Sequence, residues 1–229
     1  MEVLIKTIDD LRDELSRNLV LDEDGLNKKF NRLATSLFNN FQIKKGERRY
    51  WMTELEFYLF HDEHRDIITY PRRCKAGMWF FHASGVDITF ESKVEYKENP
   101  RSHKWMPYLT KDAVFGGILL RGIKPIEMDG ETINGPMKVC DELFDRFDAL
   151  AAPSDFPMIV EASEPRVTSI KNGCPEKRFG LNKNAEKKVH DILSYNYGGI
   201  DLEQLSESEL VTSYTTYFDA GYRYFASAQ

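Results

Sequence analysis

The sequence predicts an α+β fold: a single domain with a mixed, mostly antiparallel curved sheet, flanked by helices at both termini. Three observations carry this. Apolar residues recur at helical spacing near both ends. Between them lie short β-compatible runs separated by Gly, Pro and Asn turns. The 229 residues are 41% hydrophobic and 30% charged, an ordinary balance for one well-buried core.

Residues 1–41 read as helix. Leu4, Ile8, Leu11 and Leu15 form one stripe, and Leu26, Phe30, Leu33, Leu37 and Phe38 a second. Asp22–Gly25 is the connection and N-cap region between them. A charged turn follows at Lys44–Arg49, and Trp51–Phe60 then reads as strand. Met78–Phe81 and Val86–Phe90 are strands around the turn Ala83–Gly85. Ala113–Ile123 is a strongly apolar strand that ends before Pro125. Pro136–Leu150 reads as a helix with Val139, Leu143, Phe147 and Leu150 on one face. Met158–Glu161 and Arg166–Ser169 are further short strands, and the stretches 91–110 and 126–135 are loops. Residues 184–229 return to helix, with Val189, Ile192 and Leu193 on one stripe and Leu205, Leu210, Tyr214, Tyr217 and Phe218 on another. The expected division is therefore a main domain over 1–183 and a helical extension over 184–229 packed on it.

The net charge of −6 and sequence pI near 5.5 argue against a general nucleic-acid binder. The charge is segregated, however: Lys44, Lys45, Arg48, Arg49, Arg72, Arg73, Lys75, Arg101, His103 and Lys104 lie between acidic ends. Such a middle offers one phosphate-facing surface, or else a solvated mixed one. Cys74, Cys140 and Cys174 are widely spaced with no CxxC pair, which fits free thiols in a reducing cytoplasm. No apolar run has the length of a membrane span, and the N-terminus does not read as a signal peptide.

Alternation on a strand puts Glu54, Glu56 and Tyr58 on one face and Leu55, Phe57 and Leu59 on the other. Two like charges on one face need a cation, and a carboxylate in such a pair can serve as a base. Arg121 interrupts an otherwise apolar strand, so it must be paired or line a cavity, and Glu54 and Glu56 are its natural partners. Gly135-Pro136-Met137-Lys138 is a helix start suited to an anion. Taken alone, the acidic strand face and the helix start fit a plain structural role better than a functional one, and Arg121 fits either equally. His61-Asp62-Glu63-His64 reads as a charged loop rather than a metal site. Tyr214, Tyr217, Tyr222, Tyr224 and Phe225 read as the aromatic face of a packed helix.

Taken together and in order, these segments resemble the 3-methyladenine (alkyladenine) DNA glycosylase family. The residues that carry the resemblance are Glu54-x-Glu56-x-Tyr58, Leu119-Leu120-Arg121 with Pro125, and Gly135-Pro136-x-Lys138-x-Cys140. Thr69-Tyr70-Pro71-Arg72, Pro165-Arg166-Val167 and Lys177-Arg178-Phe179 fall in the matching order. The resemblance spans Trp51 to Asn182.

It implies a base-flipping glycosylase that excises alkylated or deaminated purines from double-stranded DNA, with water attacking the sugar C1′. Glu56 corresponds to the general base and Arg121 to the arginine that holds the water and carboxylate. Tyr58 corresponds to an aromatic that stacks on the flipped base, and His64 to a pocket histidine. Ser84 stands where the family inserts an aromatic wedge, and the family's pocket asparagine is replaced near Glu91, which would put a negative charge close to the base site. Arg72, Arg73, Lys75 and Lys138 are the expected DNA contacts. No metal or organic cofactor is implied, and the chain is expected to be a cytoplasmic monomer without membrane association. Ser84, the Glu91 neighbourhood and the acidic charge favour an alternative, a catalytically impaired module that binds nucleic acid or protein. An enzyme using Glu56 and Arg121 on a smaller substrate is a third reading, which a narrow pocket without a basic rim would favour.

Overall fold

The computed structural model describes residues 5–100, 103–126, 130–144, 147, 150, 155–174, 189, 191–192, 207–218 and 220–226. Its class is α+β, with a large curled antiparallel sheet and helices towards both ends of the chain. Among the described residues no helix is long and apolar enough to cross a membrane.

The first helix, α1 (Ile8–Ser16), is closed by a reciprocal cap. The Thr7 hydroxyl accepts from the Asp10 N–H, and the Asp10 carboxylate accepts from the Thr7 N–H. The second, α2 (Glu23–Asn40), begins at Asp22, whose carboxylate accepts from the Gly25 N–H at 2.8 Å. Glu23 to Gly25 thus belong to the first helical turn rather than to a connection. The predicted stripe Leu26, Phe30, Leu33, Leu37 and Phe38 is fully buried. Lys29 on the same helix is buried too, and donates to the Glu14 carboxylate and to the Glu14 and Arg17 carbonyls.

Strands β1 (Phe41–Lys45) and β2 (Arg48–His61) form a hairpin. Gly46 takes φ +57° at the first loop position, where only glycine turns without strain. β2 is the spine of a ten-stranded sheet. One edge pairs along its length with β8 (Phe115–Pro125). The other edge pairs in turn with β1, with β12 (Arg223–Ala226) and with β3 (His64–Arg65). Beyond β8 come β5 (Gly85–Thr89) and β4 (Trp79–His82), and beyond β1 comes β10 (Met158–Glu161). The two ends of this path approach one another: Trp79 Nε1 donates to the Pro157 carbonyl at 2.9 Å. β6 (Glu95–Glu98) and β7 (Trp105–Tyr108) form a separate hairpin, so the expected loop over 91–110 contains two strands. The remaining strands are the short β9 (Ile133–Asn134), paired with β8, and β11 (Ile170–Cys174), paired with β12.

Each face of the sheet has its own apolar cluster. On one, Leu55, Phe57 and Leu59 of β2 and Ile118 and Leu120 of β8 meet α1 and α2. Phe57 stacks on Phe30 with centroids 4.6 Å apart. α3 (Pro136–Phe144) adds Val139 and Leu143 to this cluster. The predicted continuation of α3 to Leu150 does not join it, because Leu150 is 97% exposed. On the other face, Tyr58, Phe60, Phe115 and Leu119 pack with Val189 and with Leu210 and Tyr214 of α4 (Glu207–Phe218).

Two short segments differ from expectation. Arg166–Ser169 is not a strand: Arg166 instead lies over Trp51 and donates to the Phe38 and Met52 carbonyls. The chain end is not wholly helical either. Tyr222 precedes β12, Tyr224 and Phe225 lie on it, and both tyrosines are buried. Leu193, Leu205 and the segment Lys177-Arg178-Phe179 lie outside the described residues.

Candidate active site

The site is built on β2. Alternation buries Leu55, Phe57 and Leu59 against α2, so Glu54, Glu56 and Tyr58 share the opposite face. The pairing with β8 then slips. Gly122 lies opposite Glu54 and Leu120 opposite Leu55, so Arg121 has no counterpart across the strand. Such a bulge re-aims its side chain, here onto the carboxylates. Arg121 Nε donates to Glu54 Oε1 at 2.8 Å, and Nη1 donates to Glu56 Oε2 at 2.9 Å. β12 brings a second guanidinium, because Arg223 lies opposite Glu56. Arg223 Nε and Nη2 reach Glu54 Oε1 at 2.7 and 2.6 Å.

Two carboxylates and two guanidiniums therefore balance in a largely dehydrated cluster, in which Glu56 is 0% exposed. Buried charges persist only when paired in this way. Burial works against the Arg121 cation, but Glu56 and Glu54 outweigh it and raise the pKa above the usual arginine value.

The same face continues across the sheet. Leu119 lies opposite Glu56 on one side and opposite Asp87 of β5 on the other. Asp87 Oδ2 accepts from Arg72 Nη1 at 2.5 Å, and both side chains are 1% exposed. Its Oδ1 meets His82 Nε2 at 3.0 Å. The Ser84 N–H donates to His82 Nδ1, which places the ring proton on Nε2, facing Asp87. Burial alone would raise the Asp87 carboxyl, but Arg72 and His82 hold it below its ordinary value. Gly117 makes room for this pair: a Cβ there would stand 2.7 Å from Arg72 Nη1. Tyr58, Ile68, Tyr70, Arg72, His82, Ser84 and Asp87 enclose a cavity of about 10 Å³, room for roughly one water.

The structure unites Glu56, Arg121 and Tyr58 on one face, and Tyr58 and Ser84, but neither Glu56 nor Arg121, line the small cavity. Three other expectations are corrected. Arg72 is not a surface contact for DNA, because it is buried on Asp87, and its guanidinium also lies over Phe80 at 4.1 Å. His64 is not beside Tyr58. It pairs across the hairpin with His61, which alternation puts on the Phe57 face, and it packs on Tyr217 and Tyr222. Glu91 brings no charge to the cavity: it accepts from the Ala76 N–H and from Lys75. Arg73, Lys75 and Lys138 are exposed as expected, with Lys75 paired to Glu91. Among the described residues, no group of three or more His, Cys, Asp or Glu is placed to hold a metal ion.

Sequence reasoning missed Asp87 and Arg223, and reads His82 only as a packed core histidine in an aromatic run. Asp87 carries the signal that exposed Arg121, a charge inside an apolar strand. Arg223 carries none locally, since its partner lies 169 residues away.

Fold and site together define an α+β protein with a charge-balanced carboxylate–arginine cluster on one face of a curled antiparallel sheet. The chain is similar to uncharacterized protein L759 of Acanthamoeba polyphaga mimivirus, with 29% identity over 132 residues. The similarity covers 52% of this chain and 58% of the viral protein, so the chain spans little more than half of that relative's length. No family model and no solved structure matches.

Proposed function

We propose that the chain is a DNA glycosylase-like protein that excises alkylated or deaminated purines, with Glu56 as the general base. The observation that supports this reading is the contact between Glu56 and Arg121, two residues 65 apart in sequence that meet at 2.9 Å. In this chemistry Glu56 takes a proton from water while Arg121 fixes the carboxylate. The water oxygen bonds to the sugar C1′, the C1′–N bond breaks, and the base leaves with its electron pair. In this reading Tyr58, two residues along the same face, stacks on an extruded base. Entry of a purine requires the cavity to widen, because it holds about one water. The free thiols Cys74 and Cys140 support a reducing cytoplasmic setting, and the proposed working form is a monomer.

The test is base release from duplex DNA carrying hypoxanthine or 1,N6-ethenoadenine, with protein in excess over DNA. Release of free base is the expected result. A lesion left intact after long incubation with folded protein contradicts the reading.

The closed state of the site favours a second reading, a catalytically impaired binding module. Glu56 is fully buried on Arg121, and the adjoining cavity is narrow. That reading expects DNA binding without release, and binding unchanged by Glu56→Gln.

A further inference from the structure

The sheet face that carries the candidate site divides in two. At the Tyr58 end, α4 covers it. At the other end, Trp51 and Phe225 share the face of Glu54 and Glu56, because their strand neighbours Tyr50, Met52 and Tyr224 are buried in the opposite cluster. Neither ring belongs to a core cluster, and each meets a cation instead. Arg166 lies over Trp51 at 4.3 Å and Arg223 over Phe225 at 5.0 Å. Two lysines extend this end of the face. Lys124 of β8 lies opposite Trp51, and Lys44 of β1 lies opposite Arg49, two residues before Trp51 on β2.

Like charges directly opposite one another on a sheet repel. The β1–β2 hairpin holds two such pairs, one on each face. Lys45 and Arg48 turn towards α3, which answers both. Lys45 Nζ donates to the Glu142 carbonyl at 2.5 Å, and Arg48 Nη1 lies 3.5 Å from the Glu142 carboxylate. Lys44 and Arg49 turn to the site face, where Arg49 donates to the neutral Gln42 side chain at 3.1 Å. Among the described residues Lys44 and Lys124 have no ion-pair partner. Glu54 and Glu56 do not supply one, since Arg121 and Arg223 already hold them.

We propose that this end of the site face holds the phosphate backbone of duplex DNA, with Lys44 and Lys124 as phosphate contacts. An anion there relieves the repulsion that the hairpin leaves unanswered on this side. The five residues of β2 from Trp51 to Glu56 set Lys124 roughly 16 Å from the candidate base. That is about five base-pair steps of ~3.4 Å, so one duplex laid along β2 reaches both. The identity of the anion as DNA rests on the glycosylase-like reading.

The experiment titrates the full chain into a fluorescently labelled, undamaged duplex at low and at physiological salt. Lys44→Glu with Lys124→Glu should weaken binding by roughly tenfold or more at low salt, and lower the slope of log affinity against log salt by about two. Lys6→Glu with Lys28→Glu makes the same charge change beside α1 and on α2, across the sheet, and should leave binding nearly unchanged. Lys44→Glu sets opposite charges across the hairpin, so the melting midpoint should hold or rise, which separates lost binding from lost folding. Equal weakening by the two double variants overturns the proposal. So does a polyglutamate peptide that competes as well as unlabelled duplex, or no duplex binding at low salt. No excision step enters the measurement: an intact lesion with lysine-dependent binding sinks the glycosylase reading alone, and base release independent of Lys44 and Lys124 sinks this proposal alone.

Discussion

Asp87→Ala is expected to destabilise the protein by about 3–5 kcal/mol, because it strands the buried Arg72 guanidinium. For a chain of this size that lowers the melting midpoint by roughly 6–20 °C. The effect should depend on charge rather than on lost volume. Replacing both partners, as in Arg72→Met with Asp87→Leu, removes two buried charges together and should recover much of the loss. Gly117, which admits the guanidinium, leaves space for the methionine stem. The same pair predicts a pH dependence. Asp87 has a folded pKa below its unfolded value, so its contribution is complete above the unfolded carboxylate range near ~4. It is lost as pH falls from there through the lower folded value. Denaturant melts of wild type and Asp87→Asn should converge at strongly acid pH. Parallel curves down to that limit would show that Asp87 is not ionised in the fold.

The second large effect concerns the chain end. A chain stopped at Ala220 is expected not to fold. Truncation removes Tyr222, which packs edge-on to Phe30, and Tyr224, which packs edge-on to Phe57. Deleting one buried aromatic costs about 3–5 kcal/mol, and two such losses approach the whole stability of a typical domain, about 5–15 kcal/mol. The truncation also strips the β2 edge at Glu54–Glu56 and leaves Glu54 with Arg121 but without Arg223. Tyr224→Ala is the milder test, with an expected loss of about 3–5 kcal/mol. A truncated chain with an unchanged melting midpoint would make residues 221–226 an appendage.

That prediction marks where sequence reading stopped. The stripe from Leu26 to Phe38 was legible because five residues keep one helical period over more than three turns. The two-residue period placed Glu54, Glu56 and Tyr58 together, and Arg121 was legible as a cation inside an apolar strand. Tyr222 to Phe225 were not, since so short an aromatic run fits a helical or a strand period equally. What decides is tertiary: the open edge of β2 accepts them as a strand, which delivers Arg223 to Glu54. Arg72 failed as a surface residue for a related reason. Its partner Asp87 belongs to another element, and nothing in Pro71-Arg72-Arg73 separates the buried arginine from the exposed one. His64 was placed through the resemblance, as the nearest histidine to the family's, whereas its pairing with His61 fixes it on the other face of the sheet.

The central claim, that Glu56 held by Arg121 is the base of an N-glycosidic hydrolysis, is tested most directly by a single-turnover comparison of wild type with Glu56→Gln. Both are measured on the same hypoxanthine duplex at saturating protein. Loss of the general base predicts base release slower by roughly 10²–10⁴-fold, with DNA binding retained. The melting midpoint should fall, because one charge of the buried cluster is lost, but still leave the variant folded at the assay temperature. Equal rates of release, or no release by the wild type under those conditions, would contradict it.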